Sequence, residues 1–122
     1  QYDGRQLKMK QGMMAVAEYE QGLVSRLIDG LNAIDGVTIA GITDKDRYDM
    51  RVPTVVFVKD GYTSDEIAAY LAQHHIYVWS GNYYAVEIMA RLDKPDGMVR
   101  VGIGQYNTES EIDKLLDVVK TL

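Results

Sequence analysis

The sequence predicts an α+β fold, a two-layer sandwich in which a four-stranded, mainly antiparallel or mixed sheet carries helices on one face. Three observations point there. Apolar positions recur at helical spacing in a long N-terminal stretch and in two later ones. Between them lie short β-branched and aromatic runs, bounded by Gly and Asp turns. The order is helix, strand, strand, helix, strand, short helix, strand, helix, which is not the regular alternation of a parallel α/β sheet.

In chain order, residues 1–12 are polar and punctuated by Gly4 and Gly12, so they read as a loose lead-in. From Met13 to Ile34 the positions Val16, Ala17, Leu23, Val24, Leu27, Ile28 and Leu31 form a helical stripe, which Asp35-Gly36 ends. Val37–Ile42 alternates as a strand, and Thr43–Met50 reads as a charged loop. Thr54–Val58 follows Pro53 as a buried strand. Thr63 stands three residues before Glu66, the spacing of a capping box. There hydroxyl and carboxylate reciprocally satisfy free helix amides. Ile67, Tyr70, Leu71 and His74 stripe the helix that follows, and the same pattern at Thr108 and Glu111 opens a last helix burying Ile112, Leu115, Leu116 and Val119.

The stretch from Ile76 to Thr108 is the one the rest supports. It reads as strands Ile76–Trp79 and Met98–Ile103, joined by an aromatic turn and a short helical piece. Alternation puts Val99, Val101 and Ile103 on one face, with Arg100, Gly102 and Gly104 on the other. Ile76 and Val78 likewise oppose Tyr77 and Trp79. One sheet face is then aliphatic and the other aromatic, cationic and partly bare, a face that stays exposed or takes a partner.

Composition narrows the function. The 122 residues suit one domain with a real core, and 47% hydrophobic and 25% charged residues are ordinary for a globular protein. A net charge of −5 without a basic stripe argues against nucleic acid. With no cysteine there is no disulfide, thiolate metal site or thiol nucleophile. No apolar run has membrane-spanning length and no secretory signal is visible, so membrane association is not expected and a cytoplasmic location follows by default. The chain begins at Gln1, as a fragment of a longer protein would. His74 and His75 lack the clustered partners of a metal site. Gly102-x-Gly104 lacks the third glycine of a dinucleotide motif.

Arg100 is the principal site candidate, because a guanidinium fork matches a carboxylate bidentately. The plain alternative is a surface arginine on an exposed strand. Tyr83 and Tyr84 follow the turn-forming pair Gly81-Asn82 and serve either as pocket walls or as packing aromatics. Trp79 by itself reads as a packing residue.

VRVGIGQYNT with EIDKLL after it, WSGNYYA at Trp79–Ala85 and RVPTVVF at Arg51–Phe57 resemble, in order and spacing, the class V aminotransferase and cysteine desulfurase family. The resemblance runs from about Ala17 to Leu122 and covers only the C-terminal small domain of a longer enzyme. It implies a pyridoxal-phosphate enzyme acting on an amino acid, with Arg100 as the substrate-carboxylate arginine and Asn82, Tyr83, Tyr84 and Trp79 around the substrate. Cofactor binding, through a Schiff-base lysine beside a histidine, belongs to the missing large domain. None of Lys8, Lys10, Lys45, Lys59, Lys94, Lys114 or Lys120 has that context, so no cofactor is expected in this chain. A homodimeric parent is also implied. Tyr84 stands where desulfurases of the family carry their persulfide-forming cysteine. Transamination, elimination, racemisation and carbon–sulfur cleavage all stay open. The rival reading is a free-standing module that binds a small carboxylate or dimerises through its open face.

Overall fold

A computed structural model describes residues 3–122. Its elements are α1 (Gly4–Asn32), β1 (Val37–Ala40), a 3-10 helix (Lys45–Met50), β2 (Thr54–Lys59), α2 (Ser64–Gln73), α3 (Val86–Arg91), β3 (Val99–Gly102) and α4 (Glu109–Lys120).

The sheet has three strands in the order β1-β2-β3, both pairs antiparallel. The register sets Phe57 opposite Ile39 and Val99, and Val56 opposite Ala40 and Arg100. Val55, Phe57, Val99 and Val101 therefore share the inner face and are buried against Leu27, Ile28, Leu31, Ile67, Leu71, Leu116 and Val119 of α1, α2 and α4. Burying each such aliphatic or aromatic side chain contributes about 1.5–3 kcal/mol, and these residues form one continuous cluster.

Two expectations are corrected. The fourth strand, Ile76–Trp79, is reduced to a single antiparallel bridge between Trp79 and Arg100. Its face assignment nevertheless matches the structure: Ile76 and Val78 pack against the core while Tyr77 and Trp79 are exposed. Alternation fixes which way side chains point but not how many residues pair, and on this edge of β3 only Trp79 meets the strand, at Arg100. The second correction is the loose lead-in. Helix α1 starts at Gly4, so the described residues of that segment are helical. The described residues before Met13 are all exposed, so no apolar stripe announced the helix there. The charged loop Thr43–Met50 contains the short 3-10 helix.

Both capping boxes form. Thr63 and Thr108 each accept from the backbone N–H of Glu66 or Glu111, and each carboxylate returns a bond to its cap residue's N–H at 2.8 Å. Gly30 lies where α1 crosses α4: a Cβ there would sit 2.6 Å from Leu116 Cδ2.

Candidate functional site

The outer face of β3 carries the site. Arg100 is exposed there. The backbones of Trp79 and Arg100 exchange both hydrogen bonds of a β pair, at 3.1 and 2.6 Å, so the indole and the guanidinium emerge on the same face. An open depression of about 620 Å³ is lined by Tyr77, Val78, Trp79, Ser80, Arg100 and Gly102. Tyr77 is 80% exposed and Trp79 61%.

Among the described residues the Arg100 guanidinium has no ion pair and no hydrogen bond. Its contact is with Tyr83, whose ring centroid lies 5.8 Å from Cζ, within the range of a cation–π interaction. The Tyr83 hydroxyl donates to the Met98 carbonyl at the start of β3. Burial pushes the Tyr83 phenol up to about 12, with the Arg100 charge pulling the other way. The phenol is therefore a neutral donor at any ordinary pH.

The turn that delivers Tyr83 is unusual. Tyr83 and Tyr84 both have left-handed backbones, at φ 51° and 63°, where a side chain costs energy unless its surroundings hold it. Asn82 supplies that hold: its Oδ1 accepts the Tyr84 N–H at 3.0 Å and its carbonyl accepts the Ala85 N–H at 2.7 Å. Of the residues expected around a substrate, the structure brings Arg100 and Trp79 to one depression and sets Tyr83 against Arg100. Asn82 shapes the turn, and Tyr84 points into solvent at 96% exposure.

Sequence reasoning missed Ser64. This buried hydroxyl donates to the Asp96 carbonyl at 2.8 Å and accepts the Gly81 N–H at 3.3 Å, fastening both ends of the 82–96 excursion to the start of α2. Beside it, Ser80 donates to Asp65 at 2.6 Å. A serine just inside a helix, next to the cap, offers no sequence signal for that role. Arg51, unlike Arg100, is half-buried, and it is a structural pin: it donates to the carbonyls of Ile42 and Thr54 at 2.6 and 2.7 Å, and burial lowers its pKa. The His74 ring packs tilted against Tyr70, with centroids 5.0 Å apart, and His74 does not line the depression around Arg100. No cluster of metal-ligating side chains occurs among the described residues. None of their helices is long and apolar enough to cross a membrane.

The depression can receive an anionic, planar group with an apolar neighbour. It has no lysine and no acidic side chain in its lining. Lys45 is paired with Asp29, Lys120 with Asp117, and Lys59 donates to the Asp35 carbonyl. These residues do not fit a site that holds pyridoxal phosphate covalently.

A sheet with helices on its inner face and an exposed arginine in an aromatic-walled depression on its outer face defines an α+β domain with one open sheet face. A family model described as aminotransferase class-V matches residues 5–115, and the chain belongs to that family. It is 34% identical over 110 residues to an aminotransferase-like protein, FGM3, of Gibberella zeae, covering 88% of this chain and 27% of that protein. It is 29% identical over 105 residues to a cysteine desulfurase of Klebsiella pneumoniae, covering 86% and 24%. Among solved structures, the apo cysteine desulfurase of Thermococcus onnurineus NA1 superposes with a TM-score of 0.84 at 27% identity, over 93% of this chain and 27% of that one. The Escherichia coli cysteine desulfurase CsdA, at 22% identity and a TM-score of 0.73 over 85% and 24%, shares the fold. The chain thus spans about a quarter of the length of the relatives it matches.

Proposed function

We propose that this chain is the C-terminal, substrate-binding domain of a larger pyridoxal-phosphate-dependent enzyme that acts on an amino acid, and that Arg100 receives the substrate carboxylate. The observation that carries the reading is Arg100 itself: an exposed guanidinium in a depression walled by Tyr77 and Trp79, with no carboxylate of its own to pair with among the described residues. A fork left in that state is free for a carboxylate from outside.

The rest of the polypeptide is the partner this reading requires. It would supply the cofactor, which when bound provides electron withdrawal from the substrate's amino carbon. This chain's part is to bind the carboxylate, orient the amino acid by two parallel hydrogen bonds and wall one side of the site with Trp79 and Tyr77. Two bare surfaces support a covering domain: the outer face of β3, and the N-terminal half of α1 with Leu7, Met9, Met13 and Met14 exposed. That the parent is a homodimer rests on the family resemblance alone, and its cytoplasmic location follows only by default.

The test is a substrate panel on the full-length protein, pairing amino acids with their decarboxylated amines. Amino acids should be preferred by at least about 100-fold in kcat/KM, since a hydrogen bond to a charged group contributes roughly 1.5–3 kcal/mol and two are made. Equal handling of both series contradicts a carboxylate receptor. A full-length protein that binds no cofactor and turns over neither series contradicts the enzyme reading and favours a non-enzymatic carboxylate-binding or dimerising module instead.

A further inference from the structure

Resting on that reading of Arg100, we infer that Tyr83 is its positioning residue: the Tyr83 ring fixes the guanidinium, and the hydroxyl fixes the ring. Three observations converge on it. The ring lies 5.8 Å from Arg100 Cζ, the one side-chain partner of that guanidinium among the described residues. The hydroxyl's proton is committed to the Met98 carbonyl, so it is not available to be donated to a substrate carboxylate. The left-handed pair at Tyr83 and Tyr84, held by Asn82, turns the chain so that Tyr83 returns to β3 while Tyr84 leaves it.

The physical need is plain. An arginine on a bare strand face has several rotatable bonds, and its freedom is lost when it clamps a carboxylate. A ring placed beforehand against the guanidinium removes part of that loss before the substrate arrives. It does so without competing for the donors, because the ring offers a π face and no acceptor oxygen. Tyr83 thus acts through Arg100 and makes no contact with the reacting atoms.

The experiment reads the Arg100 Nε–H resonance of the 122-residue chain, which has its own continuous core, with Arg100→Lys giving the assignment. The native signal should stand apart from the free-arginine position because of the neighbouring ring. Tyr83→Phe keeps the ring and should retain much of that displacement. Tyr83→Leu should collapse it, while the amide signals of Phe57 and Val101 stay in place to show an intact sheet. In the full-length protein, with L-alanine as the carboxylate probe and ethylamine as the control, Tyr83→Leu should weaken L-alanine about two- to fivefold and leave ethylamine unchanged, the range of a cation–π contact at an exposed site. An Arg100 signal indifferent to Tyr83→Leu, or an unchanged L-alanine affinity, overturns the inference. If the native full-length protein does not favour L-alanine over ethylamine, the carboxylate reading fails instead, and the resonance still decides whether Tyr83 holds Arg100.

Discussion

Gly97 rests directly on the backbone of Gly81. A Cβ on Gly97 would lie 2.5 Å from Gly81 Cα and would overlap the Gly81 carbonyl, and the Gly97 backbone is left-handed at φ 75°. Next to this contact the Met98 N–H donates to the Gly81 carbonyl at 3.1 Å. The two glycines therefore clasp the base of the excursion that carries Tyr83, just before β3 begins.

Gly97→Ala should break that clasp. The left-handed conformation alone costs about 1–3 kcal/mol for a side-chain-bearing residue, and the overlap is with backbone, which cannot swing aside. The urea midpoint of the chain should fall, and the Trp79 fluorescence should report a disturbed neighbourhood, Trp79 being the only tryptophan. A midpoint equal to that of the native chain contradicts the clasp.

Gly30 presents two opposed effects. Alanine in a helix interior is favoured over glycine by roughly 0.5–1 kcal/mol, yet its Cβ would meet Leu116, which is 6% exposed. Overpacking a filled core costs typically about 1–3 kcal/mol, so packing wins and Gly30→Ala should destabilise. Adding Leu116→Ala makes room, so the double variant should lose less than the sum of the two single losses in a denaturation cycle. Strict additivity would mean that α1 and α4 do not meet there.

The capping boxes should give the fold an acid-sensitive component. Glu66 and Glu111 are held below their ordinary value of 4.5, chiefly by the backbone N–H of Thr63 and Thr108. Asp113 is held below 3.8, first by its hydrogen bond from Arg26. A carboxylate with a depressed folded pKa stabilises the native state above its unfolded pKa and loses that contribution as pH falls through the folded value. Stability should therefore be steady above about pH 5 and decline below it. Glu66→Gln with Glu111→Gln should flatten the decline in urea titrations at pH 7 and pH 3. Thr108→Ala should cost about 1 kcal/mol at neutral pH through the lost cap.

How much of this could be read from sequence depends on whether the cause is local. The caps at Thr63 and Thr108 were legible because each is complete within four residues. The inward Val99, Val101 and Ile103 and the outward Arg100 were legible from a period of two. The first turns of α1 were not, because they bury nothing and so carry no stripe. That Gly30 is required was not legible, since Leu116 approaches it only through tertiary packing. The same holds for the site. Trp79 and Arg100 were expected on one face, whereas the left-handed backbones of Tyr83 and Tyr84 are invisible in the letters Gly81-Asn82-Tyr83-Tyr84. Their divergence, one ring against Arg100 and the other in solvent, follows from that geometry.

The bare surfaces make a prediction about the parent. Hydroxyl-radical labelling of Met13, Met14, Tyr77 and Trp79 should be strong in the 122-residue chain and reduced in the full-length protein, where the rest of the polypeptide covers them. Equal labelling in the two would leave these faces without a covering domain.

The most direct measurement is the kcat/KM of full-length Arg100→Ala on an amino acid and on its decarboxylated amine. Two charge-assisted hydrogen bonds at roughly 1.5 kcal/mol each, the lower end of the usual range, correspond to a loss on the order of 10²-fold for the amino acid. Arg100→Lys should recover part of it, because a point charge does not reproduce the fork. The amine should barely respond to either change, and the cofactor absorbance should be that of the native protein. If amino acid and amine lose rate equally, Arg100 supports the fold without reading the substrate, and the assignment of the carboxylate to this arginine is contradicted.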